Sequence, residues 1–346
     1  MRRSPMPYNA IDLFCGCGGV TQGLKDAGFH VLAGVEFKAA PATVYRANHP
    51  EVALFEHDIR TLDIESVVEA CNQQPLHLLA GCPPCQGFSS IRRRNHKQPV
   101  ADDRNTLVTE YFRYIERFNP FTFIFENVPA IADFPLFVDI RNRLTVLGYA
   151  LDYRVINVAG YGVPQRRRRF VMIGSRIGLI PIPEGNEKSV TVRDVIGNMV
   201  PPEISDDYAQ TVVSRHTPRI QEMIGQIPHD GGSREDLPEK YTLACHKKEN
   251  IGFHDVYGRL RWDDVSSTIT GGCMNPSKGR FLHPEQDRTI TAREAAMLQT
   301  FPRGYVFPRE ITQTQMAEMI GNALPPKFAY CQARQISTFL EQCGIQ

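Results

Sequence analysis

Hydrophobic and polar residues follow each other in short blocks through the first half of the chain. Segments with the pattern and length of strands occur at residues 9–14, 30–35, 53–57, 75–80, 122–125, 149–158 and 171–173. Segments with helical spacing lie between most of them, at residues 20–28, 39–48, 65–72, 106–118 and 135–148. Strands that alternate with helices predict an α/β fold with a doubly wound, mostly parallel sheet.

The second half of the chain has a different pattern. From about residue 176 to residue 284, proline and glycine become frequent, and neither the strand period nor the helix period persists. Helical spacing returns at residues 291–299, 313–320 and 328–340. We therefore predict a sheet domain, a smaller irregular substrate-recognition domain and a set of C-terminal helices, over residues 1–177, 178–285 and 286–346.

Composition narrows the class of protein. The chain has 346 residues, enough for two domains, and its 42% hydrophobic and 22% charged residues are those of an ordinary globular protein. The formal net charge is +1, so a nucleic-acid partner would have to meet a local basic patch. Nine cysteines without regular spacing favour a reducing compartment, and no apolar segment approaches the roughly 18 residues of a membrane span. A cytoplasmic enzyme is expected.

A glycine-rich turn, CGCGG at residues 15–19, follows the first predicted strand and precedes a helix. Such a turn lets the backbone approach a nucleotide-like ligand, although its spacing alone is a weak signal. The next two strands end in acidic residues, Glu36 and Asp58. One acidic strand end is commonly a solvated charge. Two in succession after a glycine turn favour an adenosine ligand, because a carboxylate can accept hydrogen bonds from ribose hydroxyls.

The candidate nucleophile is Cys85, in the stretch GCPPCQGFS at residues 81–89. Pro83 and Pro84 restrict the backbone before it, at the carboxyl end of a predicted strand, where open α/β sheets place their chemistry. A thiol needs a lowered pKa to act as a nucleophile, and the alternatives are a buried structural cysteine or half of a metal site. The following loop, residues 86–104, is rich in arginine and is either a mobile lid over a polyanion or simply solvated.

Charged residues also mark the last two strands. Glu126 follows the run at residues 122–125, and a carboxylate there suits protonation or hydrogen bonding of a substrate ring better than a structural cap. Four successive arginines, residues 166–169, lead into the run at 171–173. Because side chains alternate along a strand, one pair of arginines is expected to face the site and the other pair solvent or phosphate.

Five segments together resemble the ordered motif set of one family, the DNA (cytosine-5)-methyltransferases, which are class I S-adenosylmethionine-dependent enzymes with a Rossmann-like fold. The match covers nearly the whole chain apart from about residues 178–255. The segments are DLFCGCGG (12–19), GCPPCQGFS (81–89), ENV (126–128), QRRRR (165–169) and GNALP (321–325). Cys15 and Cys17 stand where the family often has small or apolar residues, and no catalytic position is changed.

The resemblance implies roles for individual residues. Cys85 would attack C6 of cytosine, Glu126 would bind the N3 edge of the base, and Arg167 and Arg169 would stabilise the thiolate and the base. S-adenosylmethionine would leave as S-adenosylhomocysteine, and no metal ion is implied. Glu36 would bind the ribose, and Asp58 and Ile59 the adenine. The other implied cofactor-binding residues are Phe14, Gly16, Gly18, Gly19, Pro84 and Asn322. The return of Asn322 to this site would fold the residues after 285 back onto the first domain.

The resemblance also implies double-stranded DNA as the substrate. A cytosine inside a duplex cannot present C6 to a buried thiol, so the base would be flipped out. Residues 178–285 would then form a target-recognition domain that reads base edges. A cognate restriction endonuclease is a candidate partner. No membrane is expected, one chain per active site favours a monomer, and DNA binding would place the protein at the nucleoid within the cytoplasm.

Other functions stay open at this point. Cys15, Cys17, Cys82 and Cys85 form CxC and CxxC pairs that could hold zinc, although CxC spacing is poor for that metal. Cys82 and Cys85 could instead form a thiol redox pair, although the prolines between them do not open a helix. Within the same family, tRNA or another RNA could replace DNA as the substrate, or the chain could bind without catalysis. The target sequence cannot be read from irregular sequence.

Overall fold

The structure is a computed structural model that describes residues 8–84, 106–243 and 255–345. Cys85 and the predicted lid at residues 86–104 lie outside the described residues. The chain divides into two compact units. The first unit comprises Met1–Tyr161, Arg168–Asn186 and Leu324–Gln346, and the second unit comprises Gly162–Arg167 and Glu187–Ala323.

The first unit is built around one seven-stranded sheet. Its strands are β1 (Asn9–Leu13), β2 (His30–Glu36), β3 (Ala53–Glu56), β4 (Leu78–Gly81), β5 (Thr122–Asn127), β6 (Ala150–Asn157) and β7 (Arg168–Ser175). The helices described between them are α1 (Gly19–Asp26), α2 (Ala39–Asn48), α3 (Ile64–Ala70), α4 (Thr106–Phe118) and α5 (Pro135–Val146).

The strand order in the sheet is β3-β2-β1-β4-β5-β7-β6. β1 to β5 pair in parallel, whereas β7 runs antiparallel to both β5 and β6. The predicted doubly wound, mostly parallel α/β sheet is therefore confirmed. The order of connection reverses between β1 and β4, and open α/β sheets bind their ligands at such a switch point.

The central strands of the sheet are buried, and a tyrosine hydroxyl group joins two of them by hydrogen bonds. β1, β4 and β5 are buried along their whole length, as their apolar runs predict. From α4, the Tyr111 hydroxyl group lies 3.1 Å from the carbonyl oxygen of Leu79 and 2.8 Å from that of Ile124, and so ties β4 to β5. A side chain at Gly81 would begin 2.5 Å from the Tyr111 ring, so glycine is required at the end of β4.

The second unit is mostly irregular, as the loss of periodicity predicts. Its helices are α6 (Val192–Ile196), α7 (Tyr208–Thr211), α8 (Pro218–Gly225), α9 (Ala292–Leu298) and α10 (Gln313–Asn322). Fully buried Arg259 organises part of it, because its guanidinium group donates to the carbonyl oxygens of Ile224 (2.9 Å), Ile227 (3.0 Å) and His283 (3.0 Å). Buried backbone carbonyls that no strand pairs thus find a donor.

The C-terminal helix α11 (Pro326–Gln342) packs on α1 of the first unit. A side chain at Gly23 would begin 2.5 Å from the Pro326 carbonyl oxygen, so glycine permits the close approach of the two helices. The predicted domain boundaries stay a prediction. In the two compact units, the first unit includes Arg168–Asn186, and residues 286–323 belong to the second unit. Helical spacing shows that a helix has an apolar face but not which core that face covers. Within the described residues, no helix is long and apolar enough to cross a membrane.

Candidate active site

The predicted site residues of the first unit that the structure describes lie at one edge of the sheet. Because β1 to β5 are parallel, their carboxyl ends share this edge. The antiparallel strand β7 begins there, with Phe170 opposite Asn127 of β5. The switch point between β1 and β4 lies in the middle of the row. Across the sheet, the edge carries Asp58 after β3, Glu36 of β2, the glycine turn after β1, Pro84 after β4, Glu126 of β5 and Arg169 of β7.

The glycine turn after β1 is shaped by its backbone and by Glu36. Phe14, Gly16 and Gly18 have φ angles of 59°, 56° and 94°, in the left-handed region, and α1 begins directly after them at Gly19. The Glu36 carboxylate accepts hydrogen bonds from the N–H groups of Gly16 (3.0 Å) and Lys38 (2.8 Å). Burial raises the pKa of Glu36, and these N–H groups oppose the rise. The predicted ribose-binding carboxylate therefore also holds the turn.

Asp12, inside β1, is a buried carboxyl group that opens the DLFCGCGG segment but was given no role by the resemblance. The Thr21 hydroxyl group donates to its Oδ2 atom (2.7 Å), and the Tyr45 hydroxyl group lies 2.9 Å from the Thr21 oxygen. Its Oδ1 atom is buried and accepts no hydrogen bond from the described residues. Burial raises the pKa of Asp12 to about 7, the hydrogen bonds from Thr21 lower it, and the charge of Glu36 raises it. An unused acceptor thus lies beside the glycine turn.

Where adenine is predicted to bind, the edge carries an exposed aromatic ring, that of Phe37, and a carboxylate, that of Asp58, which is already hydrogen-bonded to Arg60. Phe37, next to Glu36, is 66% exposed. The Asp58 carboxylate accepts hydrogen bonds from the Nε atom and the backbone N–H of Arg60, each at 3.0 Å, and the Arg60 side chain lowers the pKa of Asp58. The Ile59 side chain is buried in the core, so only its backbone can face a ligand.

The chain leaves β4 through two prolines and then reaches Cys85, which lies outside the described residues. Pro83 is buried and Pro84 is exposed. The side-chain amide of Asn127 donates to the Pro83 carbonyl oxygen (3.1 Å), while its Oδ1 atom accepts from the N–H of Val128 (2.8 Å). The end of β5 therefore holds the chain two residues before Cys85. The predicted position of the nucleophile itself stays a prediction.

Glu126 and Arg169 form a mostly buried ion pair. The Arg169 Nε atom lies 2.8 Å from Oε1 of Glu126, and the two side chains are 17% and 9% exposed. The N–H group is not aligned with this oxygen, so Oε1 accepts no hydrogen bond from the described residues. The charge of the carboxylate is therefore balanced by Arg169.

The arginines of the QRRRR segment alternate between two environments, as predicted. The first and third are exposed, whereas Arg167 is buried and Arg169 is partly buried. Arg167 belongs to the second unit, where its Nη1 atom donates to the carbonyl oxygens of Ile269 (3.1 Å) and Gly321 (3.0 Å). These contacts support an anchoring role, and its predicted contact with the Cys85 thiolate stays a prediction. Asn322, the exposed last residue of α10, also belongs to the second unit, and its predicted contact with the cofactor is likewise untested.

Two of the four cysteines of the alternative zinc site, Cys15 and Cys17, are poor thiolates. Burial raises the pKa of Cys15 well above its ordinary value and that of Cys17 to about 12. Zinc is bound by deprotonated cysteine, so burial opposes a site here. Across residues 8–84, 106–243 and 255–345, no group of three or more His, Cys, Asp and Glu side chains could hold a metal ion.

Three residues at this edge carry signals that the sequence pattern shows only weakly. Asp12 is a carboxylate within an apolar strand run, Phe37 is an aromatic residue directly after an acidic strand end, and Asn127 is an amide directly after Glu126. Each residue type also occurs at such positions for purely structural reasons. Only the burial of Asp12, the exposure of Phe37 and the contact of Asn127 with Pro83 separate these cases.

Comparison with known proteins agrees with this arrangement. The family model described as C-5 cytosine-specific DNA methylase matches residues 8–338. The chain is 36% identical over 343 residues to the Type II methylase M.HgiDII of Herpetosiphon aurantiacus, which covers 96% of this chain and 95% of that one. It is 32% identical over 344 residues to the Type II methyltransferase M1.HphI of Haemophilus parahaemolyticus, with 96% and 87% covered. The solved structure of the Entamoeba histolytica methyltransferase EhMeth has a TM-score of 0.69 over 96% of this chain and 99% of that one; at 15% identity it supports the fold alone.

The sheet order defines an α/β protein whose predicted site residues lie around a topological switch point. The chain belongs to the family of C-5 cytosine-specific DNA methylases. The resemblance carried by the five ordered segments is thereby confirmed.

Proposed function

We propose that this protein transfers a methyl group from S-adenosylmethionine to C5 of a cytosine flipped out of double-stranded DNA. The observation that carries the proposal is the mostly buried Glu126–Arg169 ion pair, beside the end of β4 from which the chain runs to Cys85. Family membership supplies the reaction class.

The residues around the glycine turn fit the cofactor. Gly16 faces open space, which permits close approach of a ligand to the backbone. The buried Oδ1 atom of Asp12 suits a hydrogen-bond donor such as an ammonium group, and the Glu36 carboxylate suits ribose hydroxyls. The exposed ring of Phe37 suits the flat face of adenine. When bound, S-adenosylmethionine supplies a methyl group on a sulfonium centre.

The protein's own residues would activate the base. The Cys85 thiolate adds to C6 of cytosine while Glu126 protonates or hydrogen-bonds N3, which makes C5 enamine-like and able to accept a methyl group. Arg169 balances the charge that shifts between the ring and Glu126. A base then removes the C5 proton, the electrons of that bond expel the Cys85 thiolate, and N3 returns its proton.

DNA recognition is assigned to the second unit. Its irregular loops carry basic side chains, which would meet phosphate groups, and sequence would be read through base edges. Because the relatives above are named Type II methylases, a cognate restriction endonuclease is the partner we propose.

Bisulfite sequencing of DNA from a host without cytosine methylation tests the proposal. The host expresses the unchanged protein, Cys85→Ala or, as a matched control, Cys343→Ala, which removes an exposed free thiol. We expect methylation in one sequence context with the unchanged protein and the control, and none with Cys85→Ala. No methylation by the intact, soluble protein would contradict the proposal, and bisulfite sequencing of the host RNA would then test the RNA alternative.

A further inference from the structure

We propose that Asn127 is a positioning residue for the nucleophile, because its side chain holds the chain at Pro83, two residues before Cys85. The inference rests on the proposed function and concerns a residue to which that function assigns no role. Asn127 is 3% exposed and sits at the last position of β5, directly after Glu126.

The Asn127 side chain forms a hydrogen bond just beyond the point where the pairing of β4 with β5 ends. The last paired residues of β4 and β5 are Gly81 and Phe125. Beyond them, β4 continues into Pro83 and Pro84, which have no N–H group to donate to a ladder. The Asn127 amide supplies the missing link by donating to the Pro83 carbonyl oxygen at 3.1 Å.

The orientation of the Asn127 side chain is itself fixed. Its Oδ1 atom accepts from the N–H of Val128 at 2.8 Å, while its nitrogen donates to Pro83. A flip of the amide would place a donor against a donor and an acceptor against an acceptor, and both bonds would be lost. In a buried setting such a loss leaves unpaired polar groups, each costing about 1–3 kcal/mol.

Very little backbone freedom separates this contact from the nucleophile. The Pro83 carbonyl belongs to the planar peptide that joins Pro83 to Pro84, and the ring of Pro84 holds its φ angle at about −65°. Only one free torsion, ψ of Pro84, then remains between the held carbonyl and the Cα atom of Cys85. The imide bonds and the proline ring therefore limit the backbone freedom between the Asn127 contact and Cys85 to that single torsion.

The frame on which this contact stands is stiff as well. Tyr111 ties β4 to β5, and Gly81 is packed directly against its ring. Glu126, which would bind the base, precedes Asn127 in the same strand. Glu126 and the chain that leads to Cys85 are thus both held at the end of β5. A misplacement of about 1 Å at reacting atoms can cost roughly 100-fold in rate.

The substitution Asn127→Asp tests the inference, because it keeps the acceptor for Val128 and replaces the donor to Pro83 by an oxygen. The substrate is a long PCR product with 5-fluorocytosine in place of cytosine. After methyl transfer, the C5 fluorine cannot leave as a proton does, so the Cys85 adduct accumulates and its rate can be measured at saturating S-adenosylmethionine. S-adenosylhomocysteine affinity is measured by calorimetry. Asn48→Asp is the control, since Asn48 also donates its amide to a backbone carbonyl (Val44, 2.8 Å), but in α2.

We expect Asn127→Asp to form the adduct roughly 100-fold more slowly, with S-adenosylhomocysteine affinity within about threefold of the unchanged protein. Asn48→Asp should keep the unchanged rate. Pro84→Gly leaves the Asn127 contact in place but gives the backbone before Cys85 more freedom. We expect it to slow adduct formation as well. It tests the inference if Asn127→Asp does not fold.

An unchanged adduct rate in folded Asn127→Asp overturns the inference. A second pattern also overturns it: Asn127→Asp loses adduct rate, cofactor affinity and thermal stability together, while Pro84→Gly reacts at the unchanged rate. That pattern would describe a residue with a purely structural role. If the unchanged protein itself forms no adduct, the proposed function fails and the inference fails with it.

Discussion

The Nε atom of Arg169 lies 2.8 Å from Oε1 of Glu126, where β7 begins beside the end of β5. Both side chains are mostly buried, so their attraction is screened less than that of a surface pair, and removal of either charge would leave the other buried and unpaired. The antiparallel insertion of β7 next to β5 brings together the ENV and QRRRR segments, which are separated in the chain.

Glu126→Gln should lower the rate of methyl transfer by roughly 10²–10⁴-fold, because an amide cannot give N3 of the base a proton. Single-turnover transfer of labelled methyl groups to DNA measures the effect, with S-adenosylhomocysteine affinity expected to stay unchanged. Glu69→Gln, an exposed carboxylate of α3 in the same unit, is the matched control. A Glu126→Gln protein that transfers methyl groups at the unchanged rate would refute the role of Glu126.

Phe37→Ala should weaken S-adenosylhomocysteine binding by roughly 5- to 150-fold, since stacking of a base on an aromatic side chain contributes about 1–3 kcal/mol. The ring is 66% exposed, so the free energy of unfolding should change by less than about 0.5 kcal/mol. Titration calorimetry measures the affinity, and Phe37→Tyr, which keeps a flat ring, should bind nearly as well as the unchanged protein. Equal affinity in Phe37→Ala would place adenine elsewhere.

Asp12→Asn should change how stability depends on pH. Burial raises the pKa of Asp12 to about 7 in the folded protein, against about 3.9 in an unfolded chain. The folded state binds the Asp12 proton more tightly than the unfolded chain does. The protonated carboxyl group therefore adds to the free energy of unfolding at low pH, and this contribution is lost as pH rises towards 7. Asp12→Asn removes that loss.

Between about pH 5 and about pH 8, Asp12→Asn should therefore gain about 2–3 kcal/mol of unfolding free energy relative to the unchanged protein. Urea unfolding at the two pH values, without cofactor, provides the comparison. A difference that does not grow with pH would mean that Asp12 is ionised in the folded protein throughout this range.

Arg167→Lys should destabilise the second unit by about 1.5–3 kcal/mol, because a lysine cannot reproduce the guanidinium contacts with Ile269 and Gly321. The single tryptophan, Trp262, lies in the second unit, so its fluorescence during urea unfolding reports on that unit. Arg168→Lys, an exposed neighbour, is the control and should be neutral. Unchanged stability of Arg167→Lys together with loss of methyl transfer would instead favour the role at the thiolate that the family resemblance implies.

Local pattern predicted the first unit well because its elements are strongly periodic. The runs around Ile11 and Phe123 were predicted as strands and are buried strands of the sheet, and the amphipathic segment Thr106–Phe118 has the predicted helix bounds. The same pattern does not show in which compact unit a helix packs. Residues of α9 and α10 have the same helical spacing as α11, yet α11 alone of these three packs in the first unit, through the close contact at Gly23.

By itself, the sequence determined the alternation of strands and helices, the row of strand-end residues from Glu36 to Glu126, and the ordered segments that define the family, because each depends on spacing along the chain. The tertiary structure alone decided which of these residues meet. It paired Arg169 with Glu126, joined Asn127 to Pro83, buried Asp12 and left Phe37 exposed. Such relationships depend on strand order and on packing between distant segments, and local periodicity contains no information about either.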